Sequence, residues 1–415
     1  MGGSRPALKG GVKLRSEDVG PAAEGCKEAV KKLKLSKESA ASRLKETVWR
    51  IIESGKESSP DDRTEVEYLL GCADSRSVST VMDDLVKYSL CSNDSGLFEI
   101  LLKGGADRLE ELMLRNSRFM STTGVSDVSI LGRLANLKIL HLTGTGISDI
   151  SPLAGPANLE ELRLGSTKLS DISHLRGLVQ LKKLYLKSPT LSDISPLGGL
   201  FNLKDLDLGG CENLSDISAL KDLICLESLC LGGCGNISSD ISPLGALKAL
   251  KVLDLGGCRN VSDLSHLATL AELESLSLEY TDVSDVSHLS ELVNLEQLCI
   301  SGTGVSDISS LKHLVKLEDL SLHTTQVSDI GPLAYLVNIR ELSLQKTRVT
   351  DISPLAGLEV LEELYLDDTR VSDISALKNL GMLMYLHIAR TPVARHTSSL
   401  EELISKNSSG LDIYV

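Results

Sequence analysis

From residue 109 onward the aliphatic residues fall into one recurring phrase, Leu-x-x-Leu-x-Leu. It begins at Leu137, Leu159, Leu181, Leu203, Leu226, Leu250, Leu273, Leu295, Leu317, Ile339, Leu361 and Leu383. The steps are 22 residues, except for 23, 24 and 23 after Leu203, Leu226 and Leu250. Ile300 and Ile388 replace the third leucine, and an irregular first unit begins at Leu109. The alternation x-Leu-x-Leu predicts a short strand with one buried face. One strand per period, at a spacing of about 4.8 Å, predicts a sheet of about twelve parallel strands roughly 55 Å long.

The second half of each period has its own pattern, as in Ile147–Leu153, Leu191–Leu197 and Val349–Leu355. Ser-Pro pairs at Ser151-Pro152, Ser195-Pro196, Ser242-Pro243 and Ser353-Pro354 predict a short helical turn capped by serine, with proline at its first position. His174, His266 and His288 occupy the proline place in other units and read as structural positions on the convex side. Three residues beyond the last strand leucine stands Thr145, Thr167, Thr281, Thr303, Thr325, Thr347, Thr369 or Thr391, with Cys211, Cys234 and Cys258 in the middle units. Stacking predicts a ladder of hydroxyls and thiols bonded to backbone, broken at Pro189.

These residues resemble leucine-rich repeats of the 22-residue type, as in bacterial internalins and the phosphatase-1 regulator family. The Gly-Gly-Cys-x-Asn-x-Ser-Asp form at Gly209–Asp216 and Gly256–Asp263 is similar to repeats of trypanosomatid adenylate-cyclase regulators. The resemblance covers about residues 105–392. It implies an α/β solenoid, a curved array of about 12–13 repeats with a concave parallel sheet and short convex helical turns. It also implies a protein that binds other proteins. Cys26, Cys72 and Cys91 are isolated, which departs from the zinc-binding RING that often precedes the cyclase-regulator repeats.

The flanks read differently. Residues 1–20 are polar and glycine-containing, a composition of disorder. Residues 21–104 read as helices: Leu44, Val48, Ile51 and Ile52 form one stripe ended by Gly55, Pro60 opens a second helix, Val78–Val86 marks a third and Leu97–Leu102 a fourth. They form an α-helical N-terminal cap over the exposed end of the array, or a second binding site. Residues 393–415 read as the C-terminal cap, a helix over Ser398–Ser405 followed by the apolar tail Leu411–Val415.

Composition narrows the function. Aromatics make up only 3 %, which suits a one-dimensional aliphatic stack better than a compact enzyme core. The net charge is -14; residues 1–60 hold 13 Lys/Arg against 8 Asp/Glu and residues 61–136 hold 8 against 13, so the deficit lies in residues 137–415. An acidic array repels phosphate backbones, so nucleic acid is not the expected partner. No apolar run is long enough to span a membrane, and Met1–Pro6 lacks an apolar leader. Nine cysteines, an odd number, read as reduced thiols in an intracellular, cytoplasmic protein.

No catalytic constellation is present: there is no metal-binding His-Glu-x-x-His, nucleophile elbow or phosphate loop, so no enzyme and no cofactor are expected. Cys230 and Cys234 approach a metal spacing, but the strand pattern sends Cys230 to the concave face and Cys234 into the ladder. The residues between the second and third strand leucines point outward from the sheet. They run from His141 through Cys230, Ser277, Cys299, Ser321 and Ser343 to His387, and they vary while the leucines do not, as a recognition surface on a fixed frame does. The candidate partner-binding residues are Arg163, Tyr185, Lys187, Asp207, Asp254, Glu279, Tyr280, Tyr365, Asp367, Asp368, Tyr385 and His387. Gly209-Gly210, Gly232-Gly233 and Gly256-Gly257 either bare the sheet edge or serve turn geometry. The expected function is a non-catalytic scaffold or adaptor binding a protein with a basic, partly apolar surface. A regulatory subunit of a phosphatase or cyclase and an internalin-like surface adhesin are the alternatives.

Overall fold

The computed structural model describes residues 37–54, 58–72, 97, 111–113, 128–144, 147–165, 168–406 and 410–415. The chain divides into two compact units, residues 1–109 and 110–415. In the first, α1 (Lys37–Ser54) and α2 (Pro60–Cys72) pack together. α1 buries Ala40, Leu44, Val48 and Ile51, the one-sided spacing of an amphipathic helix, and α2 buries Val66, Leu69 and Leu70. Ser59 and Asp62 cap α2 reciprocally: Ser59 Oγ accepts the Asp62 N–H and Asp62 Oδ2 accepts the Ser59 N–H, both at 3.1 Å. Arg50 reaches Asp62 at 2.7 Å and Glu65 at 2.9 Å, tying the helices across their polar sides. α1 ends just before Gly55 and α2 begins at Pro60, as expected. The segment 1–20 and the helices expected at 78–86 and 98–102 lie outside the described residues.

The second unit is a 14-stranded parallel sheet in strict chain order. Its strands are β1 (Glu111–Met113), β2 (Ile139–His141), β3 (Glu161–Arg163), β4 (Lys183–Tyr185), β5 (Asp205–Asp207), β6 (Ser228–Cys230) and β7 (Val252–Asp254). They continue with β8 (Ser275–Ser277), β9 (Gln297–Cys299), β10 (Asp319–Ser321), β11 (Glu341–Ser343), β12 (Glu363–Tyr365), β13 (Tyr385–His387) and β14 (Asp412–Tyr414). The two strands beyond the expected twelve come from the irregular unit at Leu109 and from the tail. After the capping helix α3 (Thr397–Lys406) the tail returns to the sheet, where Asp412 N–H donates to Met384 O and Ile388 N–H to Tyr414 O, each at 2.8 Å. The edge of β13 carries unpaired backbone groups, and the tail satisfies them rather than only covering apolar surface.

The core is the stack of leucine rows. Leu206, Leu229, Leu253 and their equivalents are almost fully buried, together with the third strand leucines and the leucine of each convex turn. Each convex turn is a single 3-10 turn, closed by bonds such as Leu153 N–H to Ile150 O at 2.9 Å. The serine does not cap it. Ser151 is the first residue inside the turn, and its N–H donates to Asp149 Oδ1 at 2.8 Å. The same bond recurs at Asp171–Ser173, Asp193–Ser195, Asp216–Ser218, Asp240–Ser242, Asp263–Ser265, Asp285–Ser287, Asp307–Ser309, Asp329–Gly331, Asp351–Ser353 and Asp373–Ser375. An aspartate two residues upstream fits an Asx turn and carries a charge the serine lacks.

The ladder forms as expected, in two versions. Thr281 Oγ1 donates to Leu278 O at 2.7 Å, within its own repeat, and Thr303 through Thr391 do the same. Cys211, Cys234 and Cys258 instead reach the preceding repeat, donating to Leu186 O, Leu208 O and Leu231 O at 3.4, 3.2 and 3.3 Å. These are the repeats of 23 and 24 residues, where an added turn follows the cysteine. At Pro189 the neighbours take over: Ser188 and Thr190 both donate to Leu169 O. Thr145 and Thr167 lie outside the described residues.

Candidate functional site

In β2 to β13 the central leucine points into the core, and its two neighbours point to the opposite, concave face. The face therefore has two rows. Position five, between the second and third leucines, carries the residues expected from the sequence. Position three, just before the second leucine, adds Glu161, Lys183, Asp205, Ser228, Val252, Ser275, Gln297, Asp319, Glu341, Glu363 and Tyr385. Only Tyr385 of this row was singled out by the sequence.

Near the N-terminal end of the sheet the Arg163 guanidinium lies 3.9 Å above the Tyr185 ring, and its Nε donates to Glu161 Oε1 at 2.6 Å. His141 Nε2 is 2.7 Å from the same oxygen, and the ring is only 2 % exposed. His141 thus turns into the surface rather than standing open, held by the carboxylate of the next strand. Burial opposes the charge on Glu161, yet the bonds from Arg163 and His141 hold its carboxyl below the ordinary range. Tyr185 donates its hydroxyl to Asp205; burial and that bond push the phenol up to about 12. Lys187 is exposed, its stem lying over Gly210.

In the centre Asp207 Oδ1 and Asp254 Oδ1 accept the N–H groups of Gly209 and Gly256, each at 2.8 Å. The glycine pairs serve geometry. A Cβ on Gly232 would lie 2.6 Å from Asp254 Oδ2, while Gly210, Gly233 and Gly257 have φ of +76°, +77° and +78°. Cys230 sits half-buried on the concave face and donates to Asp254 Oδ2 at 3.4 Å, whereas Cys234 is buried in the ladder. Burial pushes the thiols of Cys230, Cys234 and Cys258 up to about 12, which keeps them protonated as donors.

Further along, Ser275, Ser277, Cys299 and Ser321 form a low floor beside Gln297, Asp319 and Glu341, a depression of about 210 Å³. Asp319, Glu341 and Glu363 stand side by side in register on β10, β11 and β12. Burial raises the Glu341 carboxyl, and the charges of Glu363 and Asp319 raise it further. Ser343 is only 9 % exposed, a short side chain paired in register with Tyr365. Tyr280 is 54 % exposed at φ 54°, and Gly302 of the next repeat leaves room for its ring. Glu279 lies 3.6 Å from His323.

At the C-terminal end three rings stack across three strands. Tyr365 and His387 have centroids 4.6 Å apart at 26°, and His387 and Tyr414 4.3 Å apart at 9°. Tyr365 donates to Glu363 Oε2 at 2.5 Å; that bond, then burial, pushes its phenol up. Tyr385 is 37 % exposed beside the stack. Asp367 accepts bonds from both neighbouring repeats, and Asp368 pairs with Arg390 at 2.5 Å.

Residues 157–199, 226–269, 293–335 and 337–379 match the family of leucine-rich repeats in its two-copy form. The internalin inlF of Listeria monocytogenes shares the fold at a TM-score of 0.68 and 27 % identity, over 79 % of this chain and 92 % of that one. The repeats are leucine-rich repeats. The functional domain of InlJ from Listeria monocytogenes, described as including a cysteine ladder, aligns with the repeats at a TM-score of 0.57 and 18 % identity, over 75 % of this chain and 64 % of that one. A plant peptide hormone receptor, RGFR1, in complex with RGF2, aligns at 0.52 and 18 %, over 69 % and 52 %. A search of curated proteins found no match.

The leucine-rich-repeat array thus draws Tyr365, His387 and Tyr385 into one cluster and joins Arg163 to Tyr185. It leaves Asp207 and Asp254 on separate central strands, with Cys230 between them. The sequence reading missed Glu161, Asp205, Asp319, Glu341, Glu363 and Tyr414. Strand alternation applied to both neighbours of each central leucine finds the first five. Tyr414 is visible only once the tail is known to be a strand. Among the described residues no helix is long and apolar enough to cross a membrane.

Proposed function

We propose that this protein is a non-catalytic scaffold that binds a protein partner on the concave face of the sheet, through the C-terminal half of that face. One observation carries the reading. Asp319, Glu341 and Glu363 are aligned on adjacent strands with no cation in ion-pair contact among the described residues. Like charges directly opposite each other in a sheet are unfavourable. A frame that needs only its leucines gains nothing from such a row, whereas a partner with a basic surface does. The aromatic stack beside it supplies contact area that is already ordered, so little side-chain entropy is lost on binding.

The neighbouring row shows the contrast. One residue earlier in each repeat, cations and acids from neighbouring repeats pair: Lys182–Glu160 at 2.6 Å, Lys204–Glu227 at 2.7 Å, Lys251–Glu274 at 2.8 Å and Arg340–Glu362 at 2.5 Å. That row holds several ion pairs, although Glu296 has none among the described residues, and the row from Asp319 to Glu363 holds none.

Site-specific photo-crosslinking in cells tests the reading. A photoreactive side chain at Ser277 or Ser321, on the concave floor, is expected to capture a protein. The same group at His266, on the convex side, is expected to capture none of that protein. Equal capture from both sides would place the site elsewhere.

A further inference from the structure

The repeat geometry builds one side-chain frame twice. In the first copy, Glu161 and Arg163 occupy positions three and five of β3, and Tyr185 occupies position five of β4, in register with Arg163. The guanidinium is held between the carboxylate, at 2.6 Å, and the ring face, at 3.9 Å. In the second copy, Glu341 and Ser343 occupy positions three and five of β11, and Tyr365 occupies position five of β12, in register with Ser343. The acid and the ring recur at the same places on the same parallel register, and serine stands where arginine stood.

We propose that Glu341, Ser343 and Tyr365 form a seat for an arginine side chain supplied by the partner. The proposal rests on the concave-face reading above and names the group that the face recognises. The first copy shows, within this chain, what such a frame holds.

Three further features fit a guanidinium. His387 covers one face of Tyr365, which leaves the other face turned towards β11 and Ser343. The position-three row differs between the copies: in matching register it reads Ile139, Glu161, Lys183 in the first and Asp319, Glu341, Glu363 in the second. Lys183 gives way to Glu363 and Ile139 to Asp319, so the second copy lacks internal neutralisation and suits a cation from outside. The low floor of Ser277, Cys299 and Ser321 leads up to the seat and leaves room for the backbone that would carry the arginine. The copies differ in two bonds: Tyr185 donates to Asp205 on the next strand and Tyr365 to Glu363 on its own, and Glu161 also meets His141, where the second copy has Ser321 bonded to Ser301.

Arginine fits better than lysine. A planar guanidinium stacks on a ring while its edge donates to a carboxylate, and an ammonium does not do both with directional bonds.

The test uses the full chain and two fluorescein-labelled glycine-serine peptides, one with three arginines and one with three lysines at the same places, titrated by anisotropy at low salt. The arginine peptide is expected to bind roughly tenfold tighter than the lysine peptide. Ser343→Arg supplies the guanidinium from within and is expected to lose most of the arginine preference while melting at a higher temperature. Glu341→Gln keeps the shape, removes the charge and is expected to weaken the arginine peptide more than the lysine peptide, which preserves the test if Ser343→Arg folds poorly. Equal affinity for the two peptides, no arginine-peptide binding up to millimolar concentration, or unchanged binding by both variants overturns the proposal. Crosslinking from Ser277 and Ser321 that persists alongside any of those results shows that the seat fails while the concave-face reading stands.

Discussion

The Asp367 carboxylate accepts the backbone N–H of Ala389, in the following repeat, at 2.8 Å. Its other oxygen accepts from the Gln345 side chain, in the preceding repeat, at 2.9 Å. A residue chosen from the sequence for its charge on the face therefore also fastens three repeats together. Removing it leaves a backbone donor and an amide without their partner, and Asp367→Ala is expected to cost about 1–3 kcal/mol. The adjacent Asp368 meets Arg390 in the open, where solvent screens the pair, so Asp368→Asn, which suits the left-handed φ of 59° there, is expected to leave stability unchanged. Chemical denaturation of both variants checks this, and equal shifts would count against the structural role of Asp367.

That case marks the boundary of what the sequence discloses. The strands were legible because burial of one leucine type repeats with a fixed period, and the ladder because its donors recur at a fixed offset. Side-chain direction along a strand was legible too, but only Tyr385 was taken from position three. The turn cap was harder: serine and aspartate both cap, and Ser151 and Asp149 stand two residues apart, so the choice rests on where the 3-10 turn begins. Partners one repeat away, such as Gln345 for Asp367, follow from register and rotamer rather than from residue type. Tyr414 joined the stack through a strand pairing that no repeat motif announces.

The inside–outside assignment has a direct test at the middle of the array. Leu229 is fully buried between the equivalent leucines of β5 and β7. Truncation leaves a cavity that flanking repeats cannot close, so Leu229→Ala is expected to cost about 2–5 kcal/mol. Ser277 stands half-exposed on the concave floor, and Ser277→Ala is expected to change stability by no more than about 0.5 kcal/mol. The urea midpoints of the two variants decide the matter; similar values for both would mean that the strand faces are reversed.

Acid is expected to loosen the convex turns. Backbone N–H groups of the following serines hold Asp149, Asp171, Asp216, Asp263, Asp285, Asp307 and Asp373 below the ordinary aspartate range, and at Asp240 the Ser242 side chain contributes first. A carboxylate whose folded pKa is depressed adds stability that is complete above the unfolded value of about 3.9 and is lost as pH falls through the folded value. The melting temperature is therefore expected to hold steady from neutral pH down to pH 5 and to fall below about pH 4. Asp263→Asn keeps an acceptor oxygen but no titrating charge, so its melting temperature is expected to fall less steeply with acid than that of the parent. A parent chain that melts at the same temperature at pH 6 and pH 3 would contradict the assignment.

Glu341 has the opposite sign, and that opposition separates a binding charge from a structural one. Burial and the neighbouring Glu363 and Asp319 raise its carboxyl, so the folded chain takes up this proton more readily than the unfolded chain. Its charge therefore weakens the fold at neutral pH, and stability from this site is regained as pH falls through the raised value towards the unfolded value of about 4.3. Glu341→Gln is expected to raise the melting temperature at pH 7, by less in high salt, where the row is already screened. The variant is expected at the same time to lose affinity for the arginine peptide. A residue that costs stability and supports binding is the pattern of a site kept for function. If Glu341→Gln melted below the parent at pH 7, the carboxylate would be part of the frame and the row Asp319, Glu341, Glu363 would no longer argue for a basic partner.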